Sequence, residues 1–123
     1  ANMAIVLSAA FLHDIGIKEA EKKHQSTAAR YQEEYGPPIA RGILLKLSAE
    51  TKLIEEVCDI VGHHHHPREN ETVNFKCLYD ADLITNLEEQ QKEKLKTSEH
   101  IDKIIEKSFL TQSGRDLAKK ILI

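Results

Sequence analysis

Apolar residues recur at three- and four-residue spacing along most of the chain, and no stretch alternates apolar and polar in the manner of a half-buried strand. Only five glycines and three prolines interrupt it. The pattern predicts an all-α fold, a compact helical bundle of six to seven helices. A first helix starts at the head of the chain (Met3, Ala4, Ile5, Val6, Leu7, Ala9, Ala10) and ends near Gly16. No cap residue is evident before it, so an upstream segment is expected to be missing. Polar residues 18–25 lead to Ser26, read as the N-cap of a helix reaching Tyr35. Gly36-Pro37-Pro38 is expected to break the chain, with Pro38 in the first turn of a helix over 39–47. Ser48 is read as the cap of the next helix, residues 50–62.

That fourth helix sorts the later histidines. Leu53, Ile54, Val57, Cys58, Ile60 and Val61 form a wide apolar stripe of the kind that faces a core. If the helix continues past Gly62, His64 and His65 follow the stripe inward, whereas His63 and His66 continue the polar side. Pro67 ends the element. A fifth helix, residues 73–91, sets Phe75, Leu78, Tyr79, Asp82 and Asn86 along one face, so Asp82 interrupts an apolar stripe. The charged stretch 88–96 reads as a solvated helix end or a hinge. A sixth helix starts at Thr97 or Ser98, with Ile101, Ile104, Ile105 and Phe109 inward and His100 outward. A seventh follows Ser113-Gly114 with Leu117, Ala118, Ile121 and Leu122.

Length and charge narrow the function. A chain of 123 residues is expected to form a single domain, residues 1–123. Lys and Arg (17) are outnumbered by Asp and Glu (20), leaving a formal charge of -3 and no basic stripe, so nucleic acid is not expected as a partner. No apolar run approaches a membrane span, so no membrane partner is expected. Cys58 and Cys77 show no CxxC spacing and read as small buried hydrophobes, which fits a reducing, cytoplasmic setting.

The chemistry concentrates in two places. His13-Asp14 closes the apolar run Ala9-Ala10-Phe11-Leu12, where two unpartnered polar side chains incur a desolvation cost of roughly several kcal/mol. Successive helical side chains diverge by about 100 degrees. A relaxed helix end at Gly16 is therefore needed to aim both at one ion. His64, His65 and Asp82 are the remaining imidazoles and carboxylate placed to converge, the pattern of a divalent metal site. The plainer alternatives are a satisfied helix-end pair for His13-Asp14, a solvated loop for the four histidines, and a buried, hydrogen-bonded Asp82. A purification tag belongs at a terminus, and this run is internal, which disfavours that origin.

The run Ala-Ala-Phe-Leu-His13-Asp14-Ile-Gly, the histidines after Ile60-Val61-Gly62, and Tyr79-Asp80-Ala81-Asp82-Leu83-Ile84-Thr85-Asn86-Leu87 together resemble the HD-domain superfamily of metal-dependent phosphohydrolases. The resemblance covers residues 1 to 90. It implies an upstream His, the His-Asp pair and a distant Asp around one divalent ion, with added histidines holding a second ion in some branches. By position, His13 and Asp14 match the pair, Asp82 the distal Asp, and His64 and His65 the added histidines. The upstream His lies ahead of Ala1, so the chain is expected to lack the family's upstream helix. Where binuclear branches carry a further His, this chain has Glu34, which either substitutes as a ligand or marks a one-metal site. His24 is read as a surface residue with a second-metal role as the alternative, and Asp80 as a residue that orients a ligand His.

The implied activity is hydrolysis of a phosphomonoester, nucleotide or phosphodiester, the partner being a small phosphorylated substrate, with a nucleotide among the candidates. The implied cofactor is one or two divalent ions, Mn, Fe, Co, Ni or Zn. Asp14, Lys18 and Arg68 are the candidate catalytic groups, the two cations for phosphate contact, with Arg41 as a further cation. The alternative is a non-catalytic HD-like signalling or interaction module. A structural zinc site is disfavoured, since such sites are usually rich in cysteine.

Overall fold

The computed structural model describes residues 1–123. It contains seven helices and no strand: α1 (Met3–Leu12), α2 (Ile17–His24), α3 (Ala29–Lys46), α4 (Thr51–Val61), α5 (Val73–Glu93), α6 (Ser98–Ser108) and α7 (Gln112–Leu122). The all-α expectation holds. The helices fall into two compact units, Ala1–Phe75 and Lys76–Ile123.

In the first unit α4 packs against both α1 and α3, and α2 packs against α3. The core is built from Ile5, Ala9, Ala20, Ala40, Leu44, Ile54, Val57, Cys58, Ile60, Val61 and Phe75. Helix α1 does have a cap: the Asn2 side chain accepts the Ala4 and Ile5 amides at 3.0 and 3.4 Å, a contribution of about 1 kcal/mol. It stops at Leu12 rather than at Gly16, and residues 13–16 form a turn. The polar segment after it is itself a helix, α2, closed by Gln25 in the left-handed region at φ 52°.

The expected break at Gly36-Pro37-Pro38 does not occur, and α3 runs straight through it. Two prolines leave the Glu33 and Glu34 carbonyls without intrahelical donors and cost about 3 kcal/mol each in a helix interior. Packing offsets this cost. Gln32, Gly36, Ala40 and Leu44 form one buried stripe at four-residue spacing. Its middle is tight: a Cβ on Gly36 would lie 2.7 Å from Val61 Cγ1, and one on Gly16 would lie 2.5 Å from the Gln32 carbonyl oxygen. Ser48 is not a cap of α4. It ends α3 at φ 57°, with its own amide bonded to the Leu45 carbonyl and the Ala49 amide to the Leu44 carbonyl, a Schellman closure. The N-cap of α4 is Glu50, with no side-chain cap.

In the second unit Ile84, Leu87, Ile101, Ile105, Phe109 and Ala118 form the core, flanked by Leu83, Ile104 and Leu122. Thr97 caps α6, as the sequence indicated, and α7 begins under a Thr111 cap at Gln112, so that Ser113-Gly114 lies inside the helix rather than before it. Asp80 is almost wholly buried on α5 and accepts the Leu110 amide (2.9 Å), the Thr111 amide (2.9 Å) and the Thr111 hydroxyl (2.6 Å). Its role is to tie the start of α7 to α5, not to orient a ligand histidine.

Candidate metal centre

Two helix ends create the site. At the end of α1 the His13 ring folds back so that Nδ1–H donates to the Ala10 carbonyl at 2.7 Å, which turns Nε2 toward Asp14 Oδ2, 3.2 Å away. At the end of α4 the same device recurs: His64 Nδ1–H donates to the Val61 carbonyl at 2.9 Å, and Nε2 faces Asp14 Oδ1 at 3.6 Å. A carbonyl only accepts, so in both neutral rings the proton sits on Nδ1 and the lone pair on Nε2. The rings meet edge to face, with centroids 5.3 Å apart. Both helix C-termini carry the negative end of their dipole into this corner, which favours a cation.

His64 Nε2 is buried and has no hydrogen-bond partner. An orphaned buried polar atom costs about 1–3 kcal/mol. Ligand atoms of Asp14, His64 and His65 lie within 4.8 Å of one another. Donors about 2.0–2.2 Å from one ion stand about 3–4 Å apart, so small side-chain adjustments close the cluster on a cation. Two imidazoles and a carboxylate suit a transition metal better than Mg or Ca. The residues therefore fit a divalent ion. When the His13 ring at 3.2 Å, and secondarily the His64 ring, also carries a proton on Nε2, it holds the Asp14 carboxyl well below the usual carboxylate range; with neutral rings the same place at Nε2 is open to a cation, which favours the ionised carboxylate in the same way.

His65 comes from the turn after α4, and α3 grips it. Its backbone amide donates to Glu33 Oε2 at 3.0 Å, and its Nε2 meets Gln32 Oε1 at 3.1 Å. His66 Nδ1 meets the other Glu33 oxygen at 2.7 Å. Neither Gln32 nor Glu33 was singled out from the sequence, because both sit on the helix that the double proline was read as ending. The signal was the four-residue spacing of Gln32, Gly36, Ala40 and Leu44. Glu34, the acid singled out as a substitute ligand, is exposed and lies outside the cluster.

Helical phase past Gly62 fails, because α4 ends at Val61 and residues 62–65 turn. His64 points inward as expected, but His65 is exposed and His63 is buried. His63 stacks on Phe75 and bridges the Asp59 carbonyl (2.5 Å) and Glu71 Oε2 (2.8 Å). Glu71 also accepts the Arg68 amide at 2.6 Å, closing the loop before α5.

Of the expected cations, Lys18 stands exposed in the first turn of α2. Arg68 is held by both Asp59 oxygens at 2.8 and 3.2 Å, and Arg41 by Glu55 at 2.9 Å. His24 ends α2 in an aromatic cluster, stacked on Tyr31 with Nε2 2.7 Å from the Tyr35 hydroxyl, and is no part of the metal group. Asp82 lies half-buried on α5, in the second unit.

The fold and the site define an all-helical protein in which two helix-end turns gather imidazole and carboxylate groups fit for a divalent metal. The chain belongs to the HD domain family, which matches residues 1–107. No curated protein and no solved structure matches the chain. No helix is long and apolar enough to cross a membrane.

Proposed function

We propose that this HD-family chain is a metal-dependent phosphohydrolase acting on a small phosphorylated substrate, a phosphomonoester, nucleotide or phosphodiester. The observation that carries the reading is His64 Nε2, buried without a hydrogen-bond partner beside the Asp14 carboxylate. A cation answers the orphaned lone pair and the carboxylate together. In this reading His13, Asp14, His64 and His65 hold one or two ions among Mn, Fe, Co, Ni and Zn. Asp82 enters as the distal ligand from the family signature alone, and residues 1–123 act as one HD-type domain, in keeping with a family match that runs through both units.

When bound, such an ion would lower the pKa of its water toward about 7 and polarise a phosphoryl oxygen. The chain's own groups supply orientation and charge. The Ala10 and Val61 carbonyls keep Nε2 of His13 and His64 in the ligand form. Asp14 stays ionised and offsets the cation's charge. Lys18 is the cation open to phosphate, whereas Arg68 must exchange Asp59 for it. Cys58 and Cys77 are free thiols, and a reducing cytoplasm is part of the reading.

The test is hydrolysis of p-nitrophenyl phosphate, bis-p-nitrophenyl phosphate and a panel of nucleotides, with Mn and with chelator. Turnover that requires metal and disappears in Asp14→Ala supports the proposal. Metal binding without turnover on any of these classes refutes it and leaves the non-catalytic module.

A further inference from the structure

Gln32 is buried on α3, with both ends of its amide engaged. Its Nε2 donates to the Thr27 carbonyl at 2.5 Å, and its Oε1 lies 3.1 Å from His65 Nε2. The Thr27 carbonyl can only accept, which fixes the amide with its nitrogen on that side and its oxygen toward His65. An amide oxygen also only accepts, so the His65 proton resides on Nε2. In a neutral imidazole that leaves the lone pair on Nδ1.

We infer that Gln32 is a positioning residue for the metal centre, fixing His65 as the Nε2–H tautomer so that Nδ1 is its ligand atom. This rests on the reading of His65 as a ligand. It makes His65 the opposite of His13 and His64, whose Nδ1 protons are taken by helix-end carbonyls and whose Nε2 atoms carry the lone pairs. In all three rings a protein acceptor takes one nitrogen's proton and so determines which nitrogen can bind an ion. The neighbouring Glu33 supports the arrangement by accepting the His65 backbone amide, so two successive residues of α3 hold both the ring and the main chain of this histidine.

Long-range proton–nitrogen correlation spectra of the metal-free full chain at pH 8 read the tautomer directly, with His65 assigned by its absence in His65→Gln. The expected wild-type spectrum shows His65 protonated on Nε2 and His64 on Nδ1. In Gln32→Met, which keeps length and removes the acceptor, the Nε2–H share of His65 is expected to fall, and Mn and Co affinity to fall about tenfold or more. A wild-type His65 protonated on Nδ1 overturns the inference without any variant being needed. So does an unchanged tautomer or unchanged metal affinity in a folded Gln32→Met protein. A wild type that binds no ion while showing the expected tautomers overturns the metal reading instead, so the two failures are distinguishable.

Discussion

Replacing His64 by Leu exchanges a buried ring for an apolar side chain of similar volume, and the structure gives an unusual expectation for its effect. Ordinarily, truncating a buried, satisfied histidine destabilises a protein. Here the change removes an orphaned Nε2, which costs about 1–3 kcal/mol, but it also takes the Nδ1–H donor from the Val61 carbonyl and leaves that acceptor unpaired at a similar cost of about 1–3 kcal/mol. The two terms offset, so the metal-free variant is expected to lie within about 1 kcal/mol of wild type. With metal the two proteins separate. An ion at one hundred times its Kd stabilises the native state by about 2.7 kcal/mol, and only wild type retains the full ligand set. Urea unfolding of both proteins, in chelator and in excess Mn, reads the gap as it opens. If His64→Leu is less stable by 2 kcal/mol or more in chelator and the gap does not widen with metal, His64 is an ordinary core residue and the metal reasoning is wrong.

Other consequences follow from the same packing. Asp80→Ala leaves three donors at the start of α7 without their acceptor and is expected to cost about 3 kcal/mol or more in urea unfolding, with metal affinity unchanged in the protein that remains folded. Gly36→Ala drives a methyl into Val61 and is expected to lose about 1–3 kcal/mol by the same assay, whereas Gly42→Ala, with open space around it, should be neutral or slightly stabilising. Burial raises the Cys58 thiol above its ordinary value, with Glu55 adding to this against the opposing charge of Arg41. A raised pKa means less thiolate at any given pH, so iodoacetamide should label Cys58 only at higher pH than a model thiol, as followed by mass spectrometry.

The helical class, the inward turn of His64 and the meeting of His13 and Asp14 were legible because each follows from periodicity or from a short local motif. Prolines misled the reading of α3. Their local cost is real, but a stripe of small and apolar residues at four-residue spacing outweighs it, and Gln32 and Glu33 were missed with the continuous helix. His63 and His65 were mis-sorted for a related reason: helical phase was extended one turn beyond Val61, where the chain has already left the helix. His63 finds burial through Phe75 and Glu71, contacts that no spacing rule announces. Asp80 was misread as a metal-site residue because its donors lie about thirty positions away at the cap of α7, and pairing over such separation leaves no mark in a single sequence.

Metal content, measured by elemental mass spectrometry on protein purified without immobilised-metal chromatography, decides whether the corner formed by Asp14 and His64 holds an ion. One or two equivalents of a transition metal per chain are expected, falling to near zero in a His64→Leu, Asp14→Ala double variant. Zero equivalents in wild type, persisting after incubation with Mn, Fe and Zn, would show that it holds none.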